Sequence, residues 1–140
     1  LSSDESIEAL HKTIIERAKD WTARLVSLED MRRTMQRLRF PSAPRGIEER
    51  ELSGFTFSRL ASPDAMVEEG RTMHHCVGTY IDAVINGQSS IYAVKSATWR
   101  GTLEIALGDV AHVRQLRGAC NQAPPDEARK AAEEFATLFI

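Results

Sequence analysis

Apolar side chains recur along this chain with two periods, and the change of period divides it. From residue 5 to 26, Ile7, Leu10, Ile14, Ala18, Trp21 and Leu25 return every three or four positions, the spacing of one helix face. Ser3 or Asp4 stands where a cap would, and Glu5 and Glu8 favour the positive end of the helix dipole. Leu28, Met31, Met35 and Leu38 carry the same spacing through a second predicted helix, which opens at Ser27 with Asp30 three residues on, as in a capping box. Pro41 ends it, and Pro41-Ser42-Ala43-Pro44 with Gly46 reads as a linker.

Beyond the linker, Phe55 to Leu60 alternates apolar and polar and predicts a short strand. Ser62-Pro63-Asp64 is a helix start, with a cap, a proline in the first turn and an acid. That helix is expected to run to about Arg71 or Met73, with Gly70 as its terminator. A further helix is expected from Cys76 or just after it, with Val77, Tyr80, Ile81, Val84 and Ile85 as its apolar side and Asn86-Gly87 as its C-terminal cap. After Gly87 the period falls to two. Ser90–Lys95, Thr102–Leu107 and Val110–Leu116 read as strands, with a turn at 98–101 and a two-residue hairpin at Gly108-Asp109. That hairpin would set Leu107 opposite Val110, Glu104 opposite Val113 and Thr102 opposite Gln115. Thr102, Glu104 and Gln115 would then share a face with Ala106, Ala111 and Val113, with Leu103, Ile105, Leu107 and His112 on the other. Residues 118–125 form an irregular connection, and Asp126 opens a last helix with Ala128, Ala131, Ala132, Phe135, Leu138 and Phe139 on its buried side.

The predicted fold is therefore α+β: an N-terminal helical pair, a central helix–helix junction, a small antiparallel sheet with a hairpin, and a C-terminal helix. Residues 1–50 form the helical segment and 51–140 the α+β core. A chain of 140 residues can bury a real core, and 42% hydrophobic with 27% charged residues is ordinary for a globular protein. No apolar run reaches the ~20 residues of a membrane span, and no signal peptide is evident, so a cytoplasmic setting without membrane contact is expected. Two distant cysteines make no disulfide framework. The first residue is Leu1 and not Met, which fits a piece of a longer protein whose other parts this chain would contact. The net charge of −2 argues against a general polyanion binder but leaves room for a local basic patch.

Arg32, Arg33, Arg37 and Arg39 make such a patch on the second predicted helix, largely off its apolar stripe. Their guanidinium forks match phosphate oxygens, which points to DNA or RNA; Glu29, Asp30, Glu48 and Glu49 dilute the field, which points to a solvated face or a protein docking surface.

The chemistry gathers at Glu68 to Tyr80, where His74-His75-Cys76 falls at the break between two helices. Four readings apply. A cysteine nucleophile would use Cys76 at a helix N-terminus, where the dipole favours thiolate, with His75 or His112 as base; the order of a helix-start cysteine and a later strand histidine resembles papain-type and NlpC-type enzymes. Zinc would want paired ligands two to four residues apart; His74, His75 and Cys76 are contiguous, His112 and Cys120 follow far behind, and no CxxC or HxxxH exists, so neither metal nor another cofactor is expected. A phosphate or carboxylate could sit on the same helix start with Arg71. In the purely structural reading, His75 and Cys76 pin the helix junction to the sheet, with His75 bonded to a backbone carbonyl or to Glu104.

Glu68 to Tyr80, then Gly87, then Thr102-Leu103-Glu104-Ile105, then Gln115-Leu116-Arg117-Gly118 with Asn121 and Pro124, resemble in order and spacing the PcfJ-like family. The resemblance spans about Leu60 to Pro125 and implies a setting on conjugative plasmids, phages and related mobile genetic elements, with no reaction attached. The matching residues His75, Cys76, Thr102, Glu104, Gln115 and Asn121 include the three that the expected register sets on one face. The expected function is thus an accessory or interaction domain with a polar site of His75, Cys76, Glu104, Gln115 and Asn121. Its partner would be DNA, RNA or a protein of a transfer complex. The rival is an enzyme with Cys76 as nucleophile, Glu104 or Asn121 orienting the base and Gln115 near an oxyanion.

Overall fold

The computed structural model describes residues 39–74 and 78–140. The predicted helix at 5–26, residues 27–38 of the second predicted helix, and His75, Cys76 and Val77 lie outside the described residues. Arg39 and Phe40, expected in that second helix, are not helical, because the residue before a proline is disfavoured from the helical region. Five strands form one antiparallel sheet in chain order: β1 (Glu49–Leu52), β2 (Phe55–Arg59), β3 (Ser89–Lys95), β4 (Arg100–Ala106) and β5 (His112–Gly118). Two helices, α1 (Pro63–Met73) and α2 (Gly78–Ile85), fall between β2 and β3, and α3 (Asp126–Ala136) follows β5. The class is mixed α+β, as the pattern predicts.

The sheet separates two layers. On one face Phe57, Tyr92, Val94, Leu103, Ile105 and Leu116 meet Ala128, Ala131, Ala132 and Phe135 of α3 in the main core. The small alanine stripe lets α3 approach closely, and Phe135 fills the space: it stacks on Phe57 at 4.2 Å and meets Tyr92 edge-on at 4.9 Å. On the other face lie α1 and α2, tied to the sheet by side-chain bonds from Thr102 to Glu69 and from Tyr80 to Gln115. Met66, Val67, Met73, Ile81 and Val84 bury the apolar sides of these two helices.

The ends of α1 and α2 follow the sequence closely, with one exception. Ser62 caps α1, its hydroxyl accepting from the Ala65 amide at 3.2 Å, with Pro63 in the first turn. Gly70 does not terminate α1: it is buried inside the helix, and His74 ends it in the left-handed conformation at φ 57°, donating its N–H to the Gly70 carbonyl. Gly87, at φ 74°, closes α2. Its N–H donates to Val84 O and that of Gln88 to Ala83 O, which is the Schellman pattern.

The expected Gly108-Asp109 hairpin is not formed. Ala106 pairs with His112, so residues 107–111 make a wider connection. Leu107 is drawn away from the turn by donating its N–H to Gln88 O at 2.7 Å, and Ala111 is drawn into the core. The register is Glu104 opposite Gln115 and Thr102 opposite Arg117, with a bulge between Glu104 and Ile105. Thr102, Glu104 and Gln115 still share a face, because this part of the register has slipped by two residues and a slip of two preserves the side. Val113, opposite Ile105, turns to the core instead, and so does Ala111; His112, opposite Ala106, is exposed. The turn expected at 98–101 falls two residues earlier, at 96–99. Ser96 accepts from Thr98 and Trp99 amides, and Arg100 and Gly101 already belong to β4. Strand β1 is not predicted by periodicity, since Glu49, Arg50 and Glu51 are all exposed. It pairs with β2 through Ser53-Gly54, both at positive φ (54° and 83°), the signature of a type I′ hairpin.

Candidate functional site

The polar residues of the helix-covered face collect on β3, β4 and β5. Two carboxylates are buried there. Glu69 of α1 receives Arg100 at 2.5 Å and the Thr102 hydroxyl at 2.6 Å. Glu104 of β4 receives the Ser89 hydroxyl at 2.7 Å and Arg114 at 3.1 Å through the same oxygen, Oε2. Arg114 also donates to Ser89 Oγ at 3.1 Å, which closes a three-membered network. Neither acid is an orphan, which is the condition for burying a carboxylate at all.

Beside this network an open cleft of about 930 Å³ is lined by Tyr80, Glu104, Arg114, Gln115, Arg117, Asn121 and Ala123. Tyr80, in the first turn of α2, donates its phenol to Gln115 Oε1 at 3.2 Å and so brings that end of the helix to the cleft wall. Asn121 comes from the connection after β5, where Cys120 and Asn121 both hold positive φ (55° and 61°) and the Gly118 N–H donates to Gln122 O. Two non-glycine residues in succession at positive φ are uncommon, and here the kink brings Asn121 to the cleft rim. Among the described residues, Arg117 and Asn121 have no side-chain hydrogen bond or ion pair, so their donors are open to a ligand.

Of the residues singled out in the sequence, Glu104, Gln115 and Asn121 come together in this cleft. Thr102 belongs instead to the neighbouring Glu69 pair. His112 stands apart and exposed, its Nδ1 3.1 Å from Val110 O. His75 and Cys76 lie outside the described residues, as do Arg32, Arg33 and Arg37; Arg39 is exposed. Sequence reasoning missed Arg114 and Arg117 as site residues and gave no role to Tyr80. The bulge explains Arg114: strict alternation from Gln115 sends residue 114 to the opposite face. Arg117 was recoverable, since it lies two residues from Gln115 on the same strand. Among the described residues no three His, Cys, Asp or Glu side chains converge as a metal site, and no helix is long and apolar enough to cross a membrane.

The family model described as PcfJ-like protein matches residues 5–133. The chain belongs to the PcfJ-like protein family. The match is wider than the 60–125 span of the motifs and crosses the division expected at residue 50. It also runs through every cleft residue of this PcfJ-like chain. Neither a curated protein nor a solved structure matches it.

Proposed function

We propose that this PcfJ-like chain is an accessory or interaction module of a mobile-element protein, working in the cytoplasm, and that the cleft beside β5 holds a nucleic-acid strand. The observation that carries the reading is the cleft lining: two arginines, two carboxamides and a tyrosine border one concave surface. Arginine forks suit phosphates, and carboxamides suit the exposed edges of unpaired bases. A concave cleft of this kind favours a single strand over a duplex, whose bases are already paired. The arginines of the N-terminal segment, Arg32, Arg33, Arg37 and Arg39, would extend the contact surface.

The test is fluorescence anisotropy with short labelled single-stranded DNA and RNA, read at low and at physiological salt. Binding that weakens steeply with salt is expected, because each neutralised phosphate releases counterions. Arg117→Ala should weaken it by roughly tenfold and lower the log–log salt slope by about 1. Binding that is absent or indifferent to salt would sink the reading.

A second reading is a cysteine-dependent enzyme. It is favoured by one feature: Tyr80 brings the first turn of α2 to the cleft, and Cys76 precedes that helix by two residues in sequence. Its test is the pH dependence of Cys76 alkylation, with exposed Cys120 as the internal reference and His75→Ala alongside. A Cys76 no more reactive than Cys120 in both proteins would remove it.

A further inference from the structure

The bulge in β5 sets two consecutive residues, Arg114 and Gln115, against the single residue Glu104, where a regular ladder would set one. Both side chains consequently reach the same side of the sheet. Gln115 meets Tyr80, Arg114 meets Glu104, and both line the cleft. Without the bulge, one of the two would point into the α3 core.

Arg114 is only partly used by these contacts. A guanidinium has five N–H donors. Among the described residues, Arg114 makes its bonds to Glu104 Oε2 and Ser89 Oγ through Nη1 alone. Its side chain is 48% exposed, against 7% for its partner Glu104. The buried acid and the serine therefore hold one arm of the fork, and Nε and Nη2 are left for a ligand on the cleft side. An anion arriving there meets a charge balance that Arg117 tips positive, since Arg114 and Glu104 cancel.

We propose, building on the strand-binding reading above, that the bulged Arg114 is the phosphate-binding residue of the cleft, and that Ser89 and Glu104 are its positioning residues. The ligand is a phosphodiester of a single nucleic-acid strand, gripped by the free side of the guanidinium fork. Arg117, three residues further along β5, takes a neighbouring phosphate: along a strand the two Cα atoms are on the order of 10 Å apart, within reach of successive phosphates for two long side chains.

The experiment combines two probes on the full chain. The first is anisotropy with a labelled single-stranded oligonucleotide over a range of salt. The second is an NMR titration with inorganic pyrophosphate, following the amides of residues 112–118. Arg114→Ala should weaken strand binding by about tenfold and reduce the salt slope by about 1. Because it strips the charge partner from a buried carboxylate, Arg114→Lys is run beside it. Lysine keeps the charge but not the fork, so the slope should stay near wild type while affinity falls several-fold. Ser89→Ala removes no charge and should weaken binding two- to fivefold, with an unchanged slope; a residue that served only the fold would leave the affinity of the folded protein unmoved. If the wild-type chain binds the strand and Arg114→Lys, Arg114→Ala and Ser89→Ala all bind within twofold of it, this proposal is overturned while the strand-binding reading stands. If no strand binds but pyrophosphate shifts the β5 amides in wild type and not in Arg114→Ala, the phosphate site stands and the strand is wrong. If neither probe binds, both fail.

Discussion

Glu69 shows how a single residue ties a helix to the sheet that carries the cleft. It lies on the apolar stripe of α1, between buried Met66 and Met73, where an aliphatic side chain would be expected. That misplacement was legible in the sequence, yet the partners were not: Arg100 and Thr102 are more than thirty positions away, and only the fold brings them together. Glu69 is buried but its partner Arg100 is 35% exposed, so removing the acid leaves the guanidinium partly solvated while the bond from Thr102 is lost as well. Glu69→Ala should therefore cost about 2 kcal/mol in urea unfolding, and a loss under about 0.5 kcal/mol would show the pair to be incidental. Tyr92 makes a second, pH-dependent point. Its phenol donates to Ile47 O at 2.7 Å, and burial pushes its pKa up to about 12, against an ordinary value of 10.0. The neutral form is thus favoured by folding. Below the unfolded value near 10 this contribution is fully present, and it is lost as pH rises toward 12, because the unfolded chain gives up its proton first. Stability should fall by roughly 2–3 kcal/mol across that window. Tyr92→Phe should flatten this part of the alkaline curve, at a constant cost of about 1 kcal/mol for the lost bond. An unchanged alkaline slope in the variant would contradict it.

At the scale of elements, pairings were readable where side chains alternate and turns are tight, and unreadable where the backbone departs from the ladder. The central strands, the Ser62 cap, the Gly87 cap and the alanine stripe of α3 all follow from residue pattern. Strand β1 does not, because Glu49-Arg50-Glu51 shows no alternation and is held by the Ser53-Gly54 hairpin instead. The bulge is invisible as well: no residue type marks it, and it moves Arg114 from an expected core direction to the cleft. Gly101 is the clearest element-level constraint. It pairs with Gly118 across β4 and β5, and Trp99 lies over both glycines. A Cβ at 101 would collide with the Trp99 indole and stand 2.8 Å from the Arg117 carbonyl oxygen. Gly101→Ala should therefore destabilise by about 1–3 kcal/mol. Adding Trp99→Ala should not restore wild-type stability, since the backbone clash persists and the indole's contact with Phe55, at 6.4 Å between ring centres, is lost. Thermal melts of the three proteins decide this, and a Gly101→Ala chain as stable as wild type would sink the claim.

Across the whole molecule the sheet divides labour between its faces. The α3 face is mainly apolar, with Arg59 and Ser90 at its margin, and holds the aromatic cluster of Phe57, Tyr92, Phe135 and Phe139. The opposite face mixes buried aliphatics with paired charges and opens into the cleft near β5. Stability and binding should then respond to different substitutions. Arg117→Ala removes a side chain that has no described partner, so the unfolding free energy should move by less than about 0.5 kcal/mol while strand binding weakens by about tenfold. Phe135→Leu loosens the aromatic cluster and should cost about 1–2 kcal/mol, with the affinity of the still-folded protein unchanged. The opposite pattern is equally readable. If the core variant weakens binding at a temperature where circular dichroism shows it fully folded, the two faces are coupled through the sheet. The cleft would then depend on the α3 packing behind it, and a ligand should in turn raise the stability of the core.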